Sequence, residues 1–294
     1  YNNDLTQLNR LYWNTFWGHT YSNWDEIFPP TPLSETLTHA LNLDWHRFVS
    51  HQTLEFMTNE IAPFREITPD MPVVTNFMYY FNELDYFKYA EHLDVISWDS
   101  YPKWHSPSPN EDVARDAAFM HDLYRSLKGG KPFMLMESVP SAICGAEFNK
   151  LKRPNMHILS SLQAVAHGSD TVQYFQWRKS RGGEEKFHGA VVDHEGSEHS
   201  RVFREVAKLG EDLKKLDEIV GTDTKSQAAI IFDWENMWAL DTFMGLRKYR
   251  GYAETVAECF GGFFNHAVNV EFLPADGDFS KYKLVVAPML YALS

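Results

Sequence analysis

The sequence predicts an α/β protein built on a parallel sheet, and three observations carry that reading. Short continuous apolar segments alternate with helical ones, the pattern of strands buried on both faces beneath crossover helices. Each apolar segment ends in polar or aromatic residues, and in a β/α barrel the carboxyl ends of the strands carry the chemistry. Near Gly221 the character changes, and a polar linker leads into a second alternation that reads as the opening of a doubly wound unit. A length of 294 residues fits one large or two modest domains.

The elements follow in order. Residues 1 to about 43 lack sustained periodicity and are rich in Trp, Asn and Pro (Trp13, Trp17, Trp24, Pro29, Pro30, Pro32), so they read as a long structured loop with a short helix. Asp44 is placed to cap a helix running to about Ile67, with Trp45, Phe48, Val49, Phe56 and Met57 on its apolar side, stopped by Asp70 and Pro72. Strands are expected at 72–77, 94–98, 132–136 and 170–175, with helices at 111–128, 155–166 and 200–219. After the linker 221–226 come strands at 227–232, 268–272 and 283–287 and a helix near 248–266. The chain opens on Tyr1 rather than Met, and only seven residues follow the strand at 283–287, so a piece of a longer chain is expected.

Lys and Arg total 27 against 40 Asp and Glu, a formal charge of −13. That balance argues against a nucleic-acid binder, which needs a basic face to neutralise phosphates, and against an adhesive basic membrane surface. No apolar run reaches the roughly 18 residues of a bilayer span. Two cysteines, Cys144 and Cys259, make no disulfide framework and point to a reducing, cytoplasmic setting. Aromatic residues make up 15% of the chain, which fits either surfaces for stacking on sugar rings or a large aromatic core.

Three groups of residues can carry chemistry. Glu137 follows Phe133-Met134-Leu135-Met136 directly, and a carboxylate at the end of a buried strand is costly unless it is paired or at work. As a nucleophile on an anomeric carbon it suits retaining glycoside hydrolysis, which needs a second carboxyl about 5–5.5 Å away; a strand-end ion pair with an Arg is the structural alternative. The stretch Phe175 to Gly189 holds aromatics, cations, two carboxylates, a His and a Gly-Gly pair, a loop able to meet several hydroxyls or merely a salt-bridged turn. His167, His188, His194 and His199 with Glu185 and Asp193 raise a metal site, but their spacing matches no ligand signature, so no metal is expected. Nothing in the sequence makes Cys144 a nucleophile, and it reads as a small packing residue.

Taken together, Trp13-Asn14-Thr15-Phe16-Trp17-Gly18, Leu43 to Phe48, Thr75 to Met78, Ser97-Trp98-Asp99-Ser100-Tyr101-Pro102, Met136-Glu137, Phe175 to Arg178 and, most specifically, Glu185 to His194 resemble glycoside hydrolase family 42, β-galactosidases built on a (β/α)8 TIM barrel. The resemblance implies the C-terminal half of the barrel over 1–222 (strands 5–8 and the Trp-rich loop before them). At 223–294 it implies the start of a flavodoxin-like or glutamine-amidotransferase-like trimerisation domain. It implies Glu137 as nucleophile and Tyr101 as the residue orienting it. Phe175, Glu185 and His188 would then bind a terminal β-galactoside, in a homotrimer using no cofactor. The acid/base Glu of the family lies in an Asn-Glu motif upstream of the Trp-rich loop. Asn82-Glu83 falls after the fifth strand and does not take that role, so these 294 residues alone are expected to be inactive. The family has Asn-Trp seven and eight residues past the nucleophile, where this chain has Cys144-Gly145. Two readings compete with the enzyme: a sugar-binding protein that has lost the chemistry, and a metal-dependent barrel hydrolase using the histidines.

Overall fold

A computed structural model describes residues 1–31, 38–104, 106–144, 150–242 and 251–292. The N-terminal segment forms one short helix, α1 (Leu5–Tyr12), started by Asp4, whose carboxylate accepts from the backbone N–H of Thr6 and Gln7. Two 3-10 turns follow, at Phe16–Gly18 and Trp24–Glu26. Pro32, read as part of this loop, lies outside the described residues.

Helix α2 (His39–Ile67) ends at the expected residue but begins a turn earlier, so Asp44 is not its cap. The earlier start buries Leu41. The Asp44 carboxylate is satisfied instead by the hydroxyls of Tyr1 and Tyr12, each at 2.6 Å, and by Arg47 at 3.1 Å. It therefore ties the N-terminal segment to α2.

Strand β1 (Asn76–Met78), the short helix α3 (Tyr86–Ala90), β2 (Ser97–Asp99), α4 (Asn110–Ser126), β3 (Phe133–Glu137), α5 (Met156–Ala166), β4 (Ser169–Val172) and α6 (Arg201–Leu213) follow. A 3-10 segment, Lys214–Ile219, extends α6 over the rest of the expected helix. The strands pair in parallel in the order β1-β2-β3-β4, each connection stepping one place across the sheet, as in a barrel wall. They are shorter than the apolar runs that announced them. At Val73 the backbone N–H goes to the Asp94 carboxylate at 2.6 Å rather than into a ladder.

The second alternation is β5 (Ala228–Ile231), α7 (Trp234–Thr242), α8 (Tyr252–Phe264), β6 (Val270–Leu273) and β7 (Leu284–Val286). The start of the helix expected from 248 lies outside the described residues. These strands are parallel in the order β6-β5-β7, so the chain steps first to one side of β5 and then to the other. That reversal makes the sheet doubly wound, in the order that opens flavodoxin-like folds.

One hydrophobic core serves both sheets, running from Phe77 and Trp98 through Phe119 and Tyr124 of α4 to Phe232, Trp234 and Phe272. Helix α4 lies between the sheets. Its Arg125 pairs with Asp122 and donates to His167 O and Val270 O, both at 2.9 Å, so one buried guanidinium links the end of α5 to β6. The aromatic residues divide between core and surface. Trp98, Trp234 and Trp238 are buried, whereas Trp13 (79% exposed), Trp17 (65%) and Trp177 (66%) face outward. Among the described residues no helix is long and apolar enough to cross a membrane.

Candidate active site

The site is assembled at the carboxyl ends of β1, β2 and β3. Phe133 and Leu135 bury one face of β3, which fixes the strand rigidly and delivers Glu137 at its end. Glu137 pairs with Asp99 of β2 across a register shift between Trp98 and Asp99. Such irregularities re-aim side chains at strand ends. Immediately beyond β2, the Tyr101 hydroxyl donates to Glu137 Oε2 at 2.7 Å. Burial and then the adjoining Glu137 carboxylate hold the Tyr101 phenol well above its ordinary pKa, so it remains a donor at every working pH. Among the described residues the other carboxylate oxygen, Oε1, is approached only by Asn76 Nδ2, at 3.5 Å. The same amide donates to Asp99 Oδ2 at 2.7 Å. No Arg or Lys pairs with Glu137 among the described residues, so the strand-end ion pair raised from the sequence is not formed.

The loop after β4 folds back over this edge. Phe175 N donates to Ser138 O at 3.0 Å, and the peptide bond from Phe175 to Gln176 is cis. Val191 N and Val192 N donate to Gln176 O and Trp177 O, closing the loop on itself. Gly189 presses against the segment leaving β3, with its N–H 2.7 Å from Ala142 O. A Cβ there would lie 2.2 Å from Ser141 Oγ, so only glycine admits this approach.

That contact sets His188 in place. Its ring is 4% exposed and meets Phe175 and Tyr101 edge-on, at 5.2 and 5.5 Å between centroids. Cys144 N donates to Nδ1 at 3.4 Å, which leaves the proton of the neutral ring on Nε2. Burial lowers the His188 pKa below its ordinary value and so keeps the ring neutral. The Nε2 donor is buried with no hydrogen bond of good geometry among the described residues, although the Phe175 backbone lies close enough to favour the protonated ring. An orphaned buried donor beside an oriented carboxylate is what a site reading a hydroxyl requires. Glu185 is exposed, and its carboxylate is close enough for its charge to act on both Tyr101 and His188.

The structure thus brings Glu137, Tyr101, Phe175, Glu185 and His188 together. It does not assemble the other histidines. His167 Nδ1 lies 2.8 Å from Asp122, and His194 Nε2 donates to Ser180 O at 2.7 Å. No group of three metal-binding side chains converges among the described residues. Cys144 is more than a packing residue, because its thiol also donates to Glu184 O at 3.2 Å and pins the loop below His188. Gly145 lies outside the described residues. Sequence reasoning marked Asn76 and Asp99 as polar strand ends but gave them no role. Their link to Glu137 depends on the strand register and appears only in three dimensions.

Comparison with known proteins bears on this geometry. Residues 1–216 match the β-galactosidase model of glycoside hydrolase family 42, and residues 226–294 match the β-galactosidase trimerisation domain. The β-galactosidase Pbg of Clostridium perfringens is 53% identical over 295 residues, covering 99% of this chain and 43% of that protein. GanA of Bacillus subtilis is 50% identical over 302 residues, covering 100% of this chain and 45% of its own. The family 42 β-galactosidase Gan42B of G. stearothermophilus superposes with a TM-score of 0.95 at 50% identity, over 99% of this chain and 43% of that one. The four-stranded sheet is accordingly the carboxyl-terminal half of a β/α barrel, and the three-stranded sheet belongs to the unit after it. The chain spans less than half the length of these relatives and belongs to glycoside hydrolase family 42, the β-galactosidase family.

Proposed function

We propose that the chain is the C-terminal part of a retaining β-galactosidase, with residues 1–222 in the catalytic barrel and 223–294 in a trimerisation domain. The observation that carries this reading is the Glu137 carboxylate, held by Tyr101 through one oxygen at 2.7 Å and met at the other, among the described residues, only by the Asn76 amide at 3.5 Å. Oε1 attacks the anomeric carbon of a terminal β-galactoside as the glycosidic C–O bond breaks. The departing alcohol takes its proton from an acid/base Glu outside this chain. Water, deprotonated by that same group, then attacks the anomeric carbon from the opposite side. Glu137 leaves as a carboxylate, and two inversions retain configuration. Tyr101 stabilises the carboxylate before attack and after release. Phe175, Glu185 and His188 bind the sugar, with the His188 Nε2–H donating to a hydroxyl and Glu185 accepting from others.

The match to the trimerisation domain supports a homotrimer, and the two free cysteines favour a reducing, cytoplasmic location. In the full-length protein, Glu137→Gln is expected to lower turnover by roughly three orders of magnitude or more while galactoside binding persists. Near-normal turnover overturns the assignment.

A further inference from the structure

Asp99 has no part in the reaction as written above, yet its setting is unusual. Its Cα is the direct partner of the Glu137 Cα across β2 and β3. Oδ2 accepts from Asn76 Nδ2 at 2.7 Å, and that same nitrogen is 3.5 Å from Glu137 Oε1. Oδ1 is buried and has no hydrogen-bond partner among the described residues. An ionised carboxylate with a dry, unpaired oxygen is poorly stabilised, and a second carboxylate beside it worsens the position.

We propose that Asp99 is a positioning residue for Glu137: it aims the Asn76 side-chain amide at Oε1 and sets a titratable charge beside the nucleophile. The inference rests on Glu137 being that nucleophile. Asp99 is not itself the acid/base, because one oxygen is buried in the barrel wall and the other is occupied by Asn76.

The amide of Asn76 has two N–H groups on one nitrogen. Fixing one on Asp99 directs the other towards Oε1, so the Asn side chain cannot turn its carbonyl to a carboxylate. The groups facing Asp99 are Asn76 from β1, Glu137 from β3, Tyr101 beyond β2 and Tyr124 from α4, whose phenol is raised in part by the Asp99 charge. Among the described residues no cation joins them. Burial foremost, and the Glu137 charge, lift the Asp99 carboxyl to about 6, with the Asn76 hydrogen bond working in the opposite direction.

The consequence is a charge that appears as the pH rises through about 6. Ionised Asp99 favours the positive charge developing on the anomeric carbon. It is also relieved of repulsion when Glu137 becomes an ester. Activity therefore falls as acid protonates Asp99.

The test is the pH dependence of kcat/KM in the full-length enzyme. Asp99→Asn keeps the size and the acceptor but abolishes the titration. It is expected to lower kcat by about 10- to 100-fold with little change in KM. The acid limb near pH 6 should vanish. Asn76→Ala should move the limb the other way, to higher pH, since it removes the bond that favours ionised Asp99. A purely structural Asp99 would change rate or melting temperature but leave both limbs in place, and limbs unmoved in both variants overturn the proposal. If Asp99→Asn does not fold, the upward shift in Asn76→Ala decides the matter alone. Azide rescue of Glu137→Gly run in parallel separates the two ideas. Rescue with unmoved limbs refutes Asp99 only, whereas absence of rescue refutes the nucleophile beneath it.

Discussion

The Tyr101 hydroxyl sits 2.7 Å from Glu137 Oε2, whereas among the described residues Oε1 has no donor closer than Asn76 Nδ2 at 3.5 Å. The two oxygens of one carboxylate are therefore unequal, one held and one available. This asymmetry suits a group that must attack along a fixed line and later leave as an anion stabilised in place.

Removing the held side is the first consequence to measure. Tyr101→Phe is expected to reduce kcat roughly 100-fold with a small effect on KM. The loss should fall on kcat rather than on binding, because the hydrogen bond holds the carboxylate that reacts. Turnover within about twofold of the parent would refute an orienting role.

The orphaned His188 Nε2–H makes a separate claim about recognition. His188→Ala should weaken galactoside binding by ~1–3 kcal/mol, because a sugar hydroxyl loses its buried partner. The loss should be greater for galactose than for a sugar lacking the axial hydroxyl. Since burial holds the ring neutral, the deficit should be constant above roughly pH 6.5. Unchanged inhibition by galactose would make His188 a purely structural residue.

Much of this was legible before any coordinates. The ends of the apolar runs located Glu137 and Tyr101, because a buried parallel strand is continuous in sequence and its polar terminus is conspicuous. Helix α7 was not visible. Trp234, Asn236, Met237, Trp238, Ala239 and Leu240 are all buried, so burial nearly all round the helix leaves too few polar positions to create a helical period. Helix α3 has only five residues, too few for a pattern. Asp44 misled because its acidic side chain resembles a cap, whereas two distant phenols satisfy it. The link from Asn76 through Asp99 to Glu137 spans three strands, and only the register brings those positions side by side.

Gly189 ties fold to function in one atom. Gly189→Ala would place a Cβ 2.2 Å from Ser141 Oγ and 2.7 Å from Ala142 N, forcing apart the two segments that seat His188. A loss of about 1–3 kcal/mol in unfolding free energy is expected, with reduced galactoside affinity. Gly182→Ala in the same loop meets nothing within 4 Å and serves as the control, with an expected change within about 0.5 kcal/mol. Equal behaviour of the two variants in denaturant titration would contradict the packing described here.

The most direct test concerns the bond that Glu137 is proposed to make. In the full-length protein, Glu137→Gly should be nearly inactive on an activated β-galactoside, and added azide should restore turnover. The product should be an α-galactosyl azide, because the small anion occupies the position of the missing carboxylate and inverts the anomeric carbon once. A β-configured azide, or no rescue in a folded variant, would contradict covalent catalysis by Glu137.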